Sequence, residues 1–175
     1  MDEMRELLDR QQILDCVYRY CRGVDRLDAD LILSAYHDDA HDSHGGGVAP
    51  EEFIAQLFPR HASRSGVQHH VTNHLVEIDG DVAHAETYYL VNSQERGGEV
   101  VSVGGGRYVD RFERRDGVWK IAVRVVVHEW HGRVLGAAPP NANVKSRRDG
   151  DDISYFRPLE AASMRDTRVR LGGES

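Results

Sequence analysis

Cysteine is almost missing from this chain: Cys16 and Cys21 are the only two among 175 residues. Five positions apart on one predicted helix, they project from different faces and cannot approach disulfide geometry, so both read as reduced core residues. No apolar run approaches the roughly 20 residues of a membrane span. The opening Met1-Asp2-Glu3-Met4-Arg5-Glu6 lacks the basic start and apolar middle of a secretory signal, so a cytoplasmic address is the expectation. Basic residues are outnumbered 22 to 29, for a net charge of −7, which argues against nucleic acid and against an anionic membrane surface as partners. Cys-x-x-Cys, His-Glu-x-x-His, a nucleophile elbow, a phosphate loop and a dinucleotide fingerprint are also absent. Ser–His–Asp hydrolysis therefore has no support, and the sequence requires neither a metal nor an organic cofactor.

What is present is the composition of a globular protein, 40% hydrophobic and 29% charged, in a chain long enough for one sizeable core. From Glu3 to about Arg22, Leu7, Leu8, Ile13, Leu14, Val17, Tyr18 and Cys21 recur at helical spacing until Gly23 supplies a stop. A second short helix fits Ala29 to Tyr36, with Asp28 as its N-cap. The stretch from His37 to Gly47, rich in Asp, His and Gly, reads as a loop or short strand, and Pro50-Glu51-Glu52-Phe53 opens a third helix. Strands follow at Val67–Ile78, Val82–Ser93, Glu99–Arg114 and Val118–Trp130, with Asp79-Gly80-Asp81 and Arg115-Asp116-Gly117 as hairpin turns.

Helices first and an antiparallel meander afterwards mean α+β: a cone-shaped, curled sheet with about three N-terminal helices folded against it. Gly104-Gly105-Gly106 in mid-strand reads as a bend or bulge, since no helix start follows it. The domain is expected to span 1–135 and to be followed by an arm, 136–175. Late in that arm Ile153, Tyr155, Phe156, Pro158 and Leu159 form an apolar cluster fit to dock on the chain's own sheet or on a neighbour.

The chemistry concentrates in Tyr20-Cys21-Arg22-Gly23-Val24-Asp25, at the end of the first helix, and in His69-His70 on the first long strand. An acid and an imidazole on separate elements, with a phenol nearby, suit proton abstraction. Each has a plainer alternative: Asp25 as a solvated turn acid, His69 as an ordinary strand histidine, Tyr20 as a core tyrosine. His69 and His70 point to opposite faces, and both faces of the strand mix apolar and polar residues, so the register stays open. His37, His41, Asp42 and His44 have separations compatible with a zinc site but no second half with a fixed spacing; the alternatives are a hydrated loop or a polar lining at a pocket mouth. In His128-Glu129-Trp130-His131, His128 and Trp130 share a face and either meet a cavity or pack.

Gly23-Val24-Asp25 after the first helix, Asp38-Asp39-Ala40 after the second, His69 with Thr72-Asn73, and Glu113 to Lys120 at the last hairpin together resemble the SnoaL-like branch of the nuclear-transport-factor-2 fold. The resemblance covers roughly residues 5–131, with a further tail signal in Asp151 to Leu159, and is strongest toward scytalone dehydratase, bile-acid 7α-dehydratase and hexachlorocyclohexane dehydrochlorinase. It implies a cofactor-independent lyase acting on a small cyclic or polycyclic hydrophobic substrate. By the same resemblance Asp25 and His69 match the catalytic aspartate and histidine, and Tyr20 matches the tyrosine of the bile-acid dehydratase pattern; His128 is a second candidate for the acid.

Asp42 stands where the dehydrochlorinase resemblance leads one to expect tryptophan, which makes a halogenated alkane an unsuitable substrate. Tyr18, Asp42, Phe53, Leu57, Tyr88, Phe112 and Trp130, with Leu14, are the expected substrate-side residues. The resemblance also implies a homo-oligomer, trimer or dimer, with the arm crossing to a neighbour. An isomerase or cyclase using the same base, and a non-catalytic small-molecule-binding module, are the rival readings.

Overall fold

Helix α1 (Glu3–Arg26) buries the stripe Ile13, Cys16, Val17, Tyr20, Cys21 and Val24, the three-and-four spacing of one helical face. Leu7, Leu8 and Tyr18 fall outside that stripe and are exposed. The computed structural model describes residues 3–44, 46–136 and 147–159. A Cβ on Gly23 would stand 2.6 Å from Ile32 Cγ1 and 2.8 Å from its backbone nitrogen, so glycine is what lets α2 (Ala29–Leu33) cross so near the end of α1. That close crossing sets the position of Asp25. Asp28 caps α2 by accepting from the Leu31 N–H at 3.0 Å. The helix ends at Leu33 rather than Tyr36, because Tyr36 leaves it to pair with Ile121.

That pairing makes 36–42 a strand, β1 (Tyr36–Asp42), parallel to the last strand. Helix α3 (Pro50–His61) follows, with proline in its first turn. Then come β2 (Arg64–Asp79), β3 (Val82–Glu95), β4 (Val100–Arg115) and β5 (Val118–Leu135), joined antiparallel in sequence. The sheet order is β1-β5-β4-β3-β2. It curls without closing, so β1 and β2 are its edges. Helix α1 packs against β2 and β5, and α3 against β1. Trp119, Phe112, Ile121, Tyr36 and Ile13 fill the core beneath them.

Two irregularities shape the concave face. Pairing of β2 with β3 slips between Val71 and His74, so the more buried side is Val67, His69 and Val71 before the slip and His74, Val76 and Ile78 after it. A slip changes the parity of the strand, which explains why both faces look mixed in the sequence. The second lies between Gly105 and Gly106, opposite Trp130 and His128. A Cβ on Gly106 would collide with the Val127 carbonyl oxygen, and one on Gly105 would meet the Trp130 indole at 2.5 Å. The extra residue of this bulge is Glu129 on β5, and the glycine run opposite leaves room for the Val127 carbonyl and the Trp130 indole.

Residues 147–159 lie along the end of α1 of their own chain. Tyr155 donates to Asp28 Oδ2 at 2.7 Å, and the Arg148 guanidinium donates to the carbonyls of Val24, Asp25 and His61 at 3.0, 2.8 and 2.8 Å. The rest of the expected arm, 137–146 and 160–175, lies outside the described residues. Among the described residues no helix is long and apolar enough to cross a membrane.

Candidate active site

Between the curled sheet and the helices lies a cavity of about 660 Å³, walled by Tyr20, Val24, His44, Phe53, Leu57, Val67, His69, Tyr89, Val91, Tyr108, His128 and Trp130, with a polar part described below. This size suits a small organic ligand.

His69 reaches this wall from the inward side of β2, and its ring is held from behind. Nδ1 lies 2.7 Å from Asp25 Oδ1, and the His69 backbone N–H donates to Asp25 Oδ2 at 3.1 Å. The two side chains are only 10% and 15% exposed. A carboxylate is an acceptor only, so the Nδ1 proton sits on the imidazole and Nε2 is left with its lone pair. Asp25 itself does not touch the main cavity; it belongs to a smaller outer cleft with Tyr18, Arg22 and Arg26.

A second carboxylate–imidazole pair stands in the same cavity. His44 Nδ1 lies 2.7 Å from Asp42 Oδ1, and the His44 backbone N–H donates to the same oxygen at 2.8 Å. Tyr36 donates its hydroxyl to Asp42 Oδ2 at 2.5 Å. The His44 ring stacks on Phe53 at 4.6 Å between centroids and lies 6.2 Å from Tyr20 and 6.3 Å from His128. Burial alone would raise the Asp42 carboxyl, but His44, Arg124 and the Tyr36 hydroxyl outweigh it and hold the group below the usual carboxylate value.

A carboxyl depressed by folding stabilises the protein above its unfolded value, near 3.9, and loses that contribution as pH falls through the folded value. The stability gap between wild type and Asp42→Asn, measured by urea denaturation, is therefore expected to narrow as pH is lowered from neutrality to below about 4. A gap independent of pH would contradict the pairing.

Tyr20 is buried, and desolvation pushes its phenol well above the ordinary value, so it remains an O–H donor. Its ring lies 4.2 Å from the guanidinium carbon of Arg124, which also lies 4.2 Å from the Tyr108 ring. Tyr89 and His128 meet through the Tyr89 hydroxyl and His128 Nδ1 at 3.0 Å. Burial first, and the nearby His44 second, push the His128 imidazole down, which keeps it neutral at physiological pH.

Of the expected substrate-side residues, Phe53, Leu57 and Trp130 line the cavity. Four do not. Tyr88 points out of the sheet, with Arg107 5.8 Å from its ring, and its neighbour Tyr89 takes the inward position. Phe112 is fully buried in the core, Tyr18 is exposed in the outer cleft, and Asp42 lies behind His44 rather than on the wall. Leu14 is likewise absent from the lining.

The histidine-rich stretch is divided between separate roles: His37 Nε2 bonds the Glu113 carbonyl oxygen at 2.9 Å, while His44 faces Asp42. Among the described residues no group of three or more His, Cys, Asp or Glu is placed to hold a metal ion. The sequence reading missed His44 as a site residue and also Tyr89 and Tyr108; a carboxylate two residues before a histidine was the one available signal for the His44 pair.

An α+β fold with a curled sheet, three helices and a concave cavity defines the class. The chain belongs to the SnoaL-like domain family, whose model matches residues 5–125. It is similar to hexachlorocyclohexane dehydrochlorinase LinA-type3 from Novosphingobium barchaimii, at 22% identity and a TM-score of 0.71 over 79% of this chain and 100% of that one. It is also similar to a candidate scytalone dehydratase from Novosphingobium aromaticivorans, at 17% identity and a TM-score of 0.66 over 78% and 96%. A third structure, the Kfla4162 protein from Kribbella flavida, matches at 18% identity and a TM-score of 0.66 over 73% and 95%. At these identities the likeness is one of fold. No curated protein matches the chain.

Proposed function

We propose that this protein is a cofactor-independent lyase that eliminates water from a small cyclic or polycyclic hydrophobic substrate. The observation that carries the proposal is the 2.7 Å contact of His69 Nδ1 with Asp25, on a ring that faces the cavity. His69 Nε2 takes a proton from the carbon beside a carbonyl, and Asp25 stabilises the imidazolium that results. The electron pair of that C–H bond passes into the carbonyl as an enolate. Its return forms the carbon–carbon double bond and breaks the C–O bond to the leaving hydroxyl. Tyr20, kept protonated by burial, donates to the carbonyl oxygen as charge develops there. The proton that His69 has taken passes from its Nε2 to the departing oxygen, which leaves as water and regenerates the base, while His44, held by Asp42 in the same tautomer, orients the leaving hydroxyl by accepting from it. His128, neutral and bonded to Tyr89, contributes a polar contact at the open end. Two fold neighbours, a dehydrochlorinase and a candidate dehydratase, are named for eliminations and favour the same reaction type.

The test is mass spectrometry of purified wild type and His69→Ala against cyclic β-hydroxy ketones, including hydroxysteroids and aromatic polyketide intermediates. Loss of water with wild type, reduced by about 10²–10⁴ in the variant, is the expected result. An unchanged mass with altered retention would replace the lyase by an isomerase, and unmodified but retained ligand would leave a binding module.

A further inference from the structure

The cavity wall is chemically divided. One part is aromatic, with Tyr20, Phe53 and Tyr108. Elsewhere the last turn of α3 and the start of β2 bring Arg60, His61 and Arg64 onto it, together with Ser93, Ser102 and His131.

Glu129, a carboxylate on the cavity wall, is already bonded to Arg107 at 2.6 Å, so the positive charge here has little to balance it. Arg64 is 25% exposed; one of its Nη atoms bonds the Ser93 hydroxyl, and the other is 4.0 Å from Glu95, a marginal ion pair with a solvent-facing carboxylate. Its Nε is buried with no hydrogen-bond partner, an arrangement that costs free energy until an acceptor arrives. Arg60 donates its Nε to the Gln56 carbonyl oxygen at 3.0 Å and has no carboxylate partner among the described residues. Arg148, just behind, is engaged by carbonyl oxygens and by His61 Nδ1 at 3.4 Å. His61 registers the result: burial, then Arg64, Arg148, His69 and Arg60, push its imidazole down to about 4, so at neutral pH the charge of this part rests on the arginines. In a chain with a net charge of −7, this concentration runs against the overall balance.

We propose that the Arg60–Arg64 part of the cavity wall binds the anionic head of an amphipathic substrate, a carboxylate or a phosphate, whose apolar body extends along Leu57 and Phe53 toward His69. This deepens the lyase reading and rests on it only for taking the cavity as the substrate site. The planar guanidinium fork matches either oxyanion, and an oxygen of the head supplies the acceptor that Arg64 Nε lacks.

The test is fluorescence titration with a matched pair of probes, 8-anilinonaphthalene-1-sulfonate and N-phenyl-1-naphthylamine, which differ by the sulfonate alone. Wild type is expected to bind the anionic probe about tenfold or more tightly than the neutral one. The Arg60→Gln/Arg64→Gln double variant should lose that preference while its affinity for the neutral probe, which reports an intact cavity, stays within about twofold. Arg60→Gln alone, at an exposed position, should lose part of it.

Displacement of the anionic probe by dodecanoate, by dodecyl phosphate or by both supports the site and assigns the head group. Displacement by neither overturns it, as do equal affinities for the two probes, a preference that survives the double substitution, or no binding of either probe. The His69→Ala variant should keep the full preference. Failure of the lyase chemistry therefore shows as absent turnover with the anion preference intact, and failure of the anion site shows as the reverse.

Discussion

Asp25→Asn is expected to lower kcat by about 10²–10⁴ while leaving KM within a few fold, because the amide cannot serve both donors that the carboxylate serves. Asp25 takes the His69 backbone N–H on one oxygen and the His69 ring on the other. Asparagine has a single oxygen. The backbone N–H, fixed in β2 and without an alternative donor geometry, claims it, so the side-chain NH₂ faces His69 Nδ1. A donor opposite Nδ1 makes that nitrogen an acceptor and moves the ring proton to Nε2. The imidazole keeps its position and loses the lone pair that points at the substrate.

The measurements are steady-state kinetics on the substrate found by the screen and the ¹⁵N shifts of the His69 ring, which report the tautomer independently of turnover. A kcat within about tenfold of wild type, or a ring still protonated on Nδ1, would remove Asp25 from the mechanism.

Arg124→Met is expected to cost about 3–5 kcal/mol of folding stability, a large share of the ~5–15 kcal/mol available to a single domain. Arg124 on β5 and Asp110 on β4 face each other across the ladder, with Nε to Oδ1 at 2.8 Å and Nη2 to Oδ2 at 2.6 Å, and neither side chain is exposed. Methionine fills much of the volume but leaves a carboxyl that burial already pushes up, against the pull of Arg124. The cost is therefore that of an unpaired buried acid rather than of a lost attraction.

That distinction is testable in the double variant Arg124→Met/Asp110→Leu, which removes both charges and should recover most of the loss. Urea denaturation of the wild type, both single variants and the double variant gives the cycle. A loss under about 1 kcal/mol for Arg124→Met, or a double variant no better than the single, would mean the pair is not what holds this part of the core. Tyr20 and Tyr108 flank the same guanidinium, so the pair also braces the aromatic part of the cavity wall.

Much of the site was legible because its parts are local. Gly23 does not stop the helix, which runs on through Asp25 to Arg26; the glycine is there because Ile32 crosses too close for a side chain, and the acid two residues on falls in the last turn. The hairpin turns could be placed from residue type alone, since Gly80 and Gly117 take the positive φ that other residues resist, and the Gly104–Gly106 run marked an irregularity because side chains there would meet Val127 and Trp130. Tyr88 and Tyr89 show where local pattern stops. Adjacent tyrosines on a strand are equivalent until the phase of the strand is known, and the phase comes from pairing with β4. On β2 the slip between Val71 and His74 shifts the phase partway along, so no single alternation describes the strand.

His44 and Asp42 sat two residues apart in plain view, yet their role depends on β1 adding to the edge of β5, a parallel pairing between segments some eighty residues apart. The Asp110–Arg124 pair depends on the β4–β5 register, itself offset beside Arg111 and Phe112. The sequence by itself determined the three helices and four long strands, their order, the hairpin turns and the resemblance that singled out Asp25 and His69, because each of these is written in residues near one another; it left β1 open between a loop and a short strand. Only the tertiary structure decided which faces turn inward, that His44 and Asp42 form a second pair, and that arginines gather on one part of the cavity wall. Those depend on strand phase and long-range pairing, where a one-residue slip sends every following side chain to the opposite face.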